Sequence, residues 1–269
     1  MPATEVVDLE KAAARLAECV REAGALALSM FQTPIEQWTK DGTSPVCEAD
    51  IAIDRLLRDR LIGDTNEFGW LSEESAEDLA RLAARYVWIV DPIDGTRAYL
   101  AGLPDWTISA ALVENGRPIA ACLFAPVSNE FFAAIAGKGA TCNGAPIVAT
   151  LGAALANARI AGPRGLLERL AARAPAFTAS PRVRSLALRL ARVAQGVLDV
   201  AFAGPDSHDW DLAAADLLVH EAGGAFGPLG GGALIYNRPE PRHGTLVAAG
   251  RARYATLIEL LGDGRLASS

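Results

Sequence analysis

The chain has 269 residues, 51% of them hydrophobic and 21% charged, which is enough apolar material for a sizeable core and excludes a disordered polypeptide. Its 25 basic and 32 acidic residues give a net charge of −7 with no Lys/Arg run, so a nucleic-acid polymer is not an expected partner, whereas a small phosphorylated ligand is, since a bound metal reverses the local sign. Four scattered cysteines without a CxxC pair (Cys19, Cys47, Cys122, Cys142) and the lack of any apolar run of about 18 residues predict a cytoplasmic chain with no export signal and no membrane partner.

From Leu9 to Phe31 apolar residues recur at helical spacing (Leu9, Ala13, Leu16, Val20, Ala23, Leu26), predicting an amphipathic first helix that ends near Thr33-Pro34. The stretch KDGTSPVCEAD reads as a mobile loop, and a second helix follows from about Glu48 to Leu61. The run Val87 to Val90 is strand-like. After it, WTISAALVE, PIAACLFAP and EFFAAIAG predict an antiparallel meander, with Asn115-Gly116 as a strong hairpin signal between the first two. Beyond about residue 150 the expected order is strand (ARIAG), helix (Leu166 to Ala174), helix (Leu186 to Gln195), strand (VLDVAFA), helix (Trp210 to Ala222), strand, and a last helix from about Arg253 to Leu261. Sheets and helices in both halves predict a layered α/β (α+β) architecture, read as one domain over residues 1–269 with a two-lobe division near 150.

The chemistry concentrates in VWIVDPIDGTRAYL at 87 to 100. A strand ending in Asp91 and followed by Pro-Ile-Asp-Gly-Thr places Asp91 and Asp94 at its carboxyl end, where binding residues gather in α/β folds. If these acids converge, their like charges oppose joint ionisation, and a hard divalent cation with oxygen ligands removes that cost. Gly95 lets backbone approach a ligand, and a helix starting at Gly95-Thr96 would aim N–H groups at an anion. Alone, Asp94-Gly95 would be a hairpin turn, Glu73-Glu74 in LSEES a solvated pair, and Asp211 in HDWDLAAAD a helix-start acid. Together they form a constellation. Two residues separate Asp91 from Asp94, where haloacid-dehalogenase-like enzymes have one, and no GxxxxGK[ST] phosphate loop occurs.

WIVDPIDGT, with the downstream WDLAAAD and the upstream Glu-Glu, resembles the inositol monophosphatase family, within the larger group of magnesium-dependent, lithium-sensitive phosphatases. The resemblance extends from KDGTSPVCEADIAID at 40 to 54 through EAGG at 221 to 224. It implies a layered αβαβα sandwich, a homodimer, and two to three Mg2+ ions per active site. By the family pattern Glu73, Asp91 and the carbonyl of Ile93 hold the first ion, and Asp91, Asp94 and Asp211 the second. Asp50 helps bind a third or orients the attacking water, and Thr96 hydrogen-bonds that water. Gly95 and Thr96 receive the phosphate on their N–H groups. The implied reaction is in-line hydrolysis of a small phosphomonoester by metal-activated water, without a covalent phosphoenzyme. The Lys40 to Val46 loop would act as a mobile cover.

Substrate choice lies outside the metal ligands. Where inositol monophosphatases carry a glutamate seven residues before the Trp-Asp aspartate, this chain has Gly204, with Asp206 close enough in sequence to substitute. LSEES and the basic Arg97 of DGTRAY look more like the 3′(2′),5′-bisphosphate nucleotidase branch, where Arg97 would meet a second phosphate. Inositol 1-phosphate, histidinol phosphate and fructose bisphosphate are the alternatives, and a non-catalytic regulatory binding protein on the same fold is the alternative of a different class. His208, Lys138 and Asn143-Gly144 read as local hydrogen-bond and hairpin chemistry. Cys47, where the family commonly has threonine, is expected to be a point of metal or oxidant sensitivity or else a small packed residue.

Overall fold

The computed structural model describes residues 7–40, 44–63, 68–76 and 78–262. Its helices are α1 (Leu9–Met30), α2 (Glu48–Ile62), α3 (Thr96–Leu100), α4 (Arg164–Ala171), α5 (Leu186–Ala194), α6 (Asp209–Glu221) and α7 (Arg251–Leu261). Asp8 caps the first of these by accepting from the Lys11 amide at 3.2 Å, satisfying one of the orphan donors of the opening turn.

A seven-stranded sheet runs in the order 68–72, 86–94, 107–114, 117–125, 130–135, 139–142, 145–146. Only its first pair is parallel. Asn115 and Gly116 both have positive φ, 48° and 77°, as the tight hairpin they were expected to form requires. The strand Tyr86–Asp94 is buried at every position because alternate residues face two different cores. Trp88 and Val90 pack with Leu16, Val20, Ile53 and Leu57 of α1 and α2. Val87 and Ile89 face Leu190, Val193, Leu212 and Val219 of α5 and α6.

A five-stranded sheet, ordered 178–179, 159–161, 200–203, 246–250, 224–228, covers the far side of α5 and α6. Its outer face packs Ile160, Val200, Phe202 and Val247 against Leu170 of α4 and Leu257 and Leu261 of α7. Three apolar clusters, the middle one spanning both faces of the α5/α6 layer, therefore join five layers in an αβαβα sandwich, as the sequence resemblance implied. The last strand of the first sheet ends at Pro146 and the first of the second begins at Arg159.

Two expectations need correction. The stretch read as a mobile loop is, in its described part, a hairpin in which Gln37–Lys40 pairs antiparallel with Ser44–Cys47; residues 41–43 of the expected cover lie outside the described residues. The β-favouring Trp38, Thr39 and Val46 outweighed the Gly/Ser/Pro signal there. The strand expected to end at Asp91 instead continues through Asp94.

Candidate active site

That continuation brings the two aspartates of the motif together. Asp91 lies opposite Ser109 and Asp94 opposite Thr107, so three steps on one strand match two on its neighbour. The extra residue is a bulge at Pro92-Ile93. In a regular strand residues three apart point to opposite faces; the bulge turns them toward one side. Glu73 arrives by register, since Ser72 is level with Val90 across the parallel pair and Glu73 follows at the same sheet end. Its amide donates to the Val90 carbonyl at 3.3 Å. Asp211 comes from the first turn of α6, where its carboxylate accepts from the His208 amide at 2.7 Å.

One carboxylate oxygen from each of Asp91, Asp94 and Asp211 lies within 4.8 Å of the others. Glu73, Ile93, Gly95, Thr96 and Arg97 line the same cavity of about 470 Å3. Gly95 takes φ +100° at the start of α3, a conformation that side chains other than glycine rarely adopt. Asp50 sits behind Thr96. The Thr96 hydroxyl lies 3.0 Å from the Ile93 carbonyl and 3.2 Å from Asp50 Oδ1, while Asp50 Oδ2 accepts from the Cys47 amide at 2.9 Å and its thiol at 2.8 Å. Asp50 thus reaches the cavity through Thr96.

Burying so many carboxylates resists their ionisation. Desolvation pushes Glu73 up to about 8, with the charges of Asp211 and Glu74 adding to it. It pushes Asp211 to about 7, with Asp94 adding, and Asp50 to about 6. Asp91 rises well above the usual carboxylate range through burial, then through Glu73 and Asp94. Asp91 Oδ1 is buried with no hydrogen-bond partner. An orphaned oxygen among carboxylates that repel one another fits a hard cation, and the all-oxygen donor set suits magnesium.

Several determinants were not evident from the sequence. Asp94 accepts from Ser185 Oγ at 2.6 Å and from the Leu186 and Ala187 amides at 3.1 and 2.6 Å, so the amino end of α5 grips it. Ser185 before the apolar periodicity of α5 is an N-cap signal that could have pointed to this end. Arg182 and Arg184 line the cavity beside Arg97, and nothing local in RVRS announces that placement. Lys40 donates to the Glu73 carbonyl and to Glu74 Oε2, the latter at 2.7 Å, binding the hairpin to the site.

Other expected positions fall elsewhere. Asp206 lies 3.4 Å from Arg242 Nη1 and, like Gly204, does not line the cavity. Lys138 pairs with Glu10 at 2.6 Å, and Asn143-Gly144 forms a turn with φ of 50° and 80°. Cys47 is fully buried and its thiol is pushed up to about 12, chiefly by desolvation and then by Asp50, which disfavours the reactive thiolate and the expected sensitivity to oxidants.

Comparison with known proteins bears on the fold and the family. The inositol-1-monophosphatase of Rhizobium meliloti is 35% identical over 188 residues, covering 66% of this chain and 70% of its own. The histidinol-phosphatase of Mycobacterium tuberculosis is 35% identical over 220 residues, covering 74% of this chain and 82% of its own. The crystal structure of the extragenic suppressor protein suhB from Bartonella henselae superimposes with a TM-score of 0.81 at 27% identity, covering 93% of this chain and 98% of that one. With the sequence model of the Inositol monophosphatase family matching residues 8–264, the chain belongs to that family of phosphatases, whose members are generally magnesium-dependent.

Proposed function

We propose that the protein is a magnesium-dependent phosphomonoesterase that removes the 3′-phosphate from a 3′(2′),5′-bisphosphate nucleotide. The observation that carries the substrate reading is the lining of the acidic cavity by three arginines, Arg97, Arg182 and Arg184. The metal-binding acids account for one phosphate; guanidinium groups on the same cavity suit a second.

Glu73, Asp91, the Ile93 carbonyl, Asp94 and Asp211 would hold the metal. When bound, magnesium supplies charge neutralisation at the phosphoryl oxygens and acidifies a coordinated water. Thr96 has one hydroxyl proton to share between Ile93 and Asp50, which leaves a lone pair to accept from the attacking water and orient it. Gly95 and Thr96 present backbone N–H groups to the phosphate. Asp94, fixed by three donors from α5, keeps its place without rearranging.

A second reading, phosphatase action on histidinol phosphate or inositol 1-phosphate, draws on the names of the two relatives. The deciding experiment measures phosphate release from 3′-phosphoadenosine 5′-phosphate, histidinol phosphate and inositol 1-phosphate side by side, with magnesium, with chelator and with lithium. The proposal expects the highest kcat/KM on the nucleotide, abolished by chelator. Preference for either monophosphate overturns the nucleotide assignment and retains the phosphatase.

A further inference from the structure

A second cavity, of about 220 Å3, adjoins the acidic one, and Glu73 lines both. Its lining includes Trp70, Ser75, Ala76, His208 and Trp210. The imidazole of His208 and the indole of Trp210 are stacked face to face, with centroids 4.6 Å apart and planes within 2°. Trp210 directly precedes Asp211, so this paired ring surface is anchored to the same turn of α6 that delivers an acid to the metal position.

The indole N–H of Trp70 is spent within the wall, donating to Ser75 Oγ at 3.0 Å, and Ser75 in turn donates to Asp54 Oδ2 at 2.7 Å. Its polar edge is therefore committed, and the wall is stiffened by a buried carboxylate. The volume is below the roughly 300–1,000 Å3 of pockets that take a whole ligand, so it suits one ring of a substrate whose phosphate lies in the neighbouring cavity. Flat rings stack on such surfaces, while a saturated polyol offers no π-face.

We propose that this slot is a subsite for a planar nitrogen heterocycle carried by the leaving group of the substrate. It deepens the phosphatase reading and rests on it for the identity of the substrate, but ring binding itself needs no turnover. A purine and an imidazole share the required chemistry, and the test separates them.

The test uses the full magnesium-loaded chain. Adenosine and histidinol, rings without phosphate, are titrated against intrinsic tryptophan fluorescence, with myo-inositol as the ringless comparison. Kinetics on the three phosphorylated substrates are measured for wild type, Ala76→Phe, His208→Ala and His208→Phe. Ala76 is exposed at the slot, so a phenylalanine there fills it from the solvent side with little demand on folding. The expected result is saturable quenching by adenosine or histidinol that Ala76→Phe abolishes. With it should come a KM about tenfold higher for the matching phosphorylated substrate in Ala76→Phe and His208→Ala, kcat within about twofold in Ala76→Phe, and recovery of KM in His208→Phe, as removal of one stacking face predicts. Which ring quenches identifies the source.

Equal losses on inositol 1-phosphate would mean the slot does not recognise rings and would overturn the proposal, as would unchanged KM in both slot variants. Should no substrate release phosphate, the catalytic reading fails by itself. The titrations still decide the slot: quenching abolished by Ala76→Phe sustains it, and no quenching of wild type by either ring overturns it.

Discussion

Ser185 donates its hydroxyl proton to Asp94 at 2.6 Å across 91 residues of sequence, while its own oxygen accepts from the Leu188 amide at 3.0 Å. One serine therefore caps α5 and fixes a carboxylate of the acidic cluster. Asp94→Asn keeps the shape of the side chain and removes its charge, and kcat is expected to fall by at least about 100-fold, on the scale of losing a preorganised transition-state contact. Ser185→Ala should be milder, costing about 10- to 100-fold in magnesium affinity or activity, as loss of a ligand's supporting hydrogen bond does. Magnesium titration of activity, with circular dichroism to confirm the fold, checks both; a fully active Asp94→Asn would remove Asp94 from the catalytic machinery.

The raised acids make a prediction for the metal-free protein. Glu73 moves from 4.5 to about 8 and Asp211 from 3.8 to about 7 on folding, because burial opposes their charge. The associated stability is fully present below their unfolded values and is lost as pH rises through about 7 to 8. Glu130, held down to about 2 by its hydrogen bond to Arg192, acts in the opposite sense, but its contribution changes only below about pH 4.5. In chelator, the thermal midpoint should therefore fall between pH 5 and pH 8 by at least about 4 °C, the shift that roughly 1–2 kcal/mol causes in a domain of this size. Magnesium, on the proposed function a ligand of the ionised acids, should remove most of the fall. Glu73→Gln should flatten the chelator curve, and differential scanning calorimetry at four pH values measures all three.

Cys47 gives a chemical test of the packing around Asp50. Its thiol donates to Asp50 Oδ2 and is pushed up to about 12, first by burial and then by that carboxylate. Since the thiolate is the nucleophile, Cys47 should resist iodoacetamide at pH 8 in the native protein and react once the chain is unfolded in denaturant. Peptide mass spectrometry after timed quenching reads this directly. Rapid native labelling would mean the Cys47–Asp50–Thr96 arrangement opens in solution.

The layered fold was legible because its signals are local and periodic. The 3.6-residue recurrence from Leu9 onward gave α1, and Asn115-Gly116 gave the first hairpin of the meander. The acids were legible as residues and the family resemblance implied their convergence, but the backbone geometry that produces it was not legible. A strand read as stopping at Asp91 gives no reason for Asp91 and Asp94 to face one way; the bulge opposite Ser109 and Thr107 supplies it, and bulges leave little trace in sequence. Long-range partners were hidden for the same reason. Ser185 and Lys40 each lie more than thirty residues from the acids they contact, and only the packing of α5 and of the 37–47 hairpin brings them there, with Arg182 at the same cavity.

The arginines supply the sharpest separation between substrates. Arg184 is shared with Asp105 at 3.4 Å, whereas Arg182 stands exposed at the same cavity. If these groups meet a second phosphate, Arg182→Ala and Arg184→Ala should each raise KM for 3′-phosphoadenosine 5′-phosphate by about 10-fold, the scale of one charge-assisted contact. Inositol 1-phosphate has no second phosphate to lose, so its KM should move by less than about twofold. Arg182→Ala should have the cleaner effect, because removing Arg184 also releases Asp105 near the site. Raised salt should narrow the difference between wild type and Arg182→Ala, since the exposed guanidinium is screened. Michaelis constants for both substrates at two salt concentrations give the answer, and equal shifts on both would assign the arginines to the fold of the loop before α5 rather than to substrate.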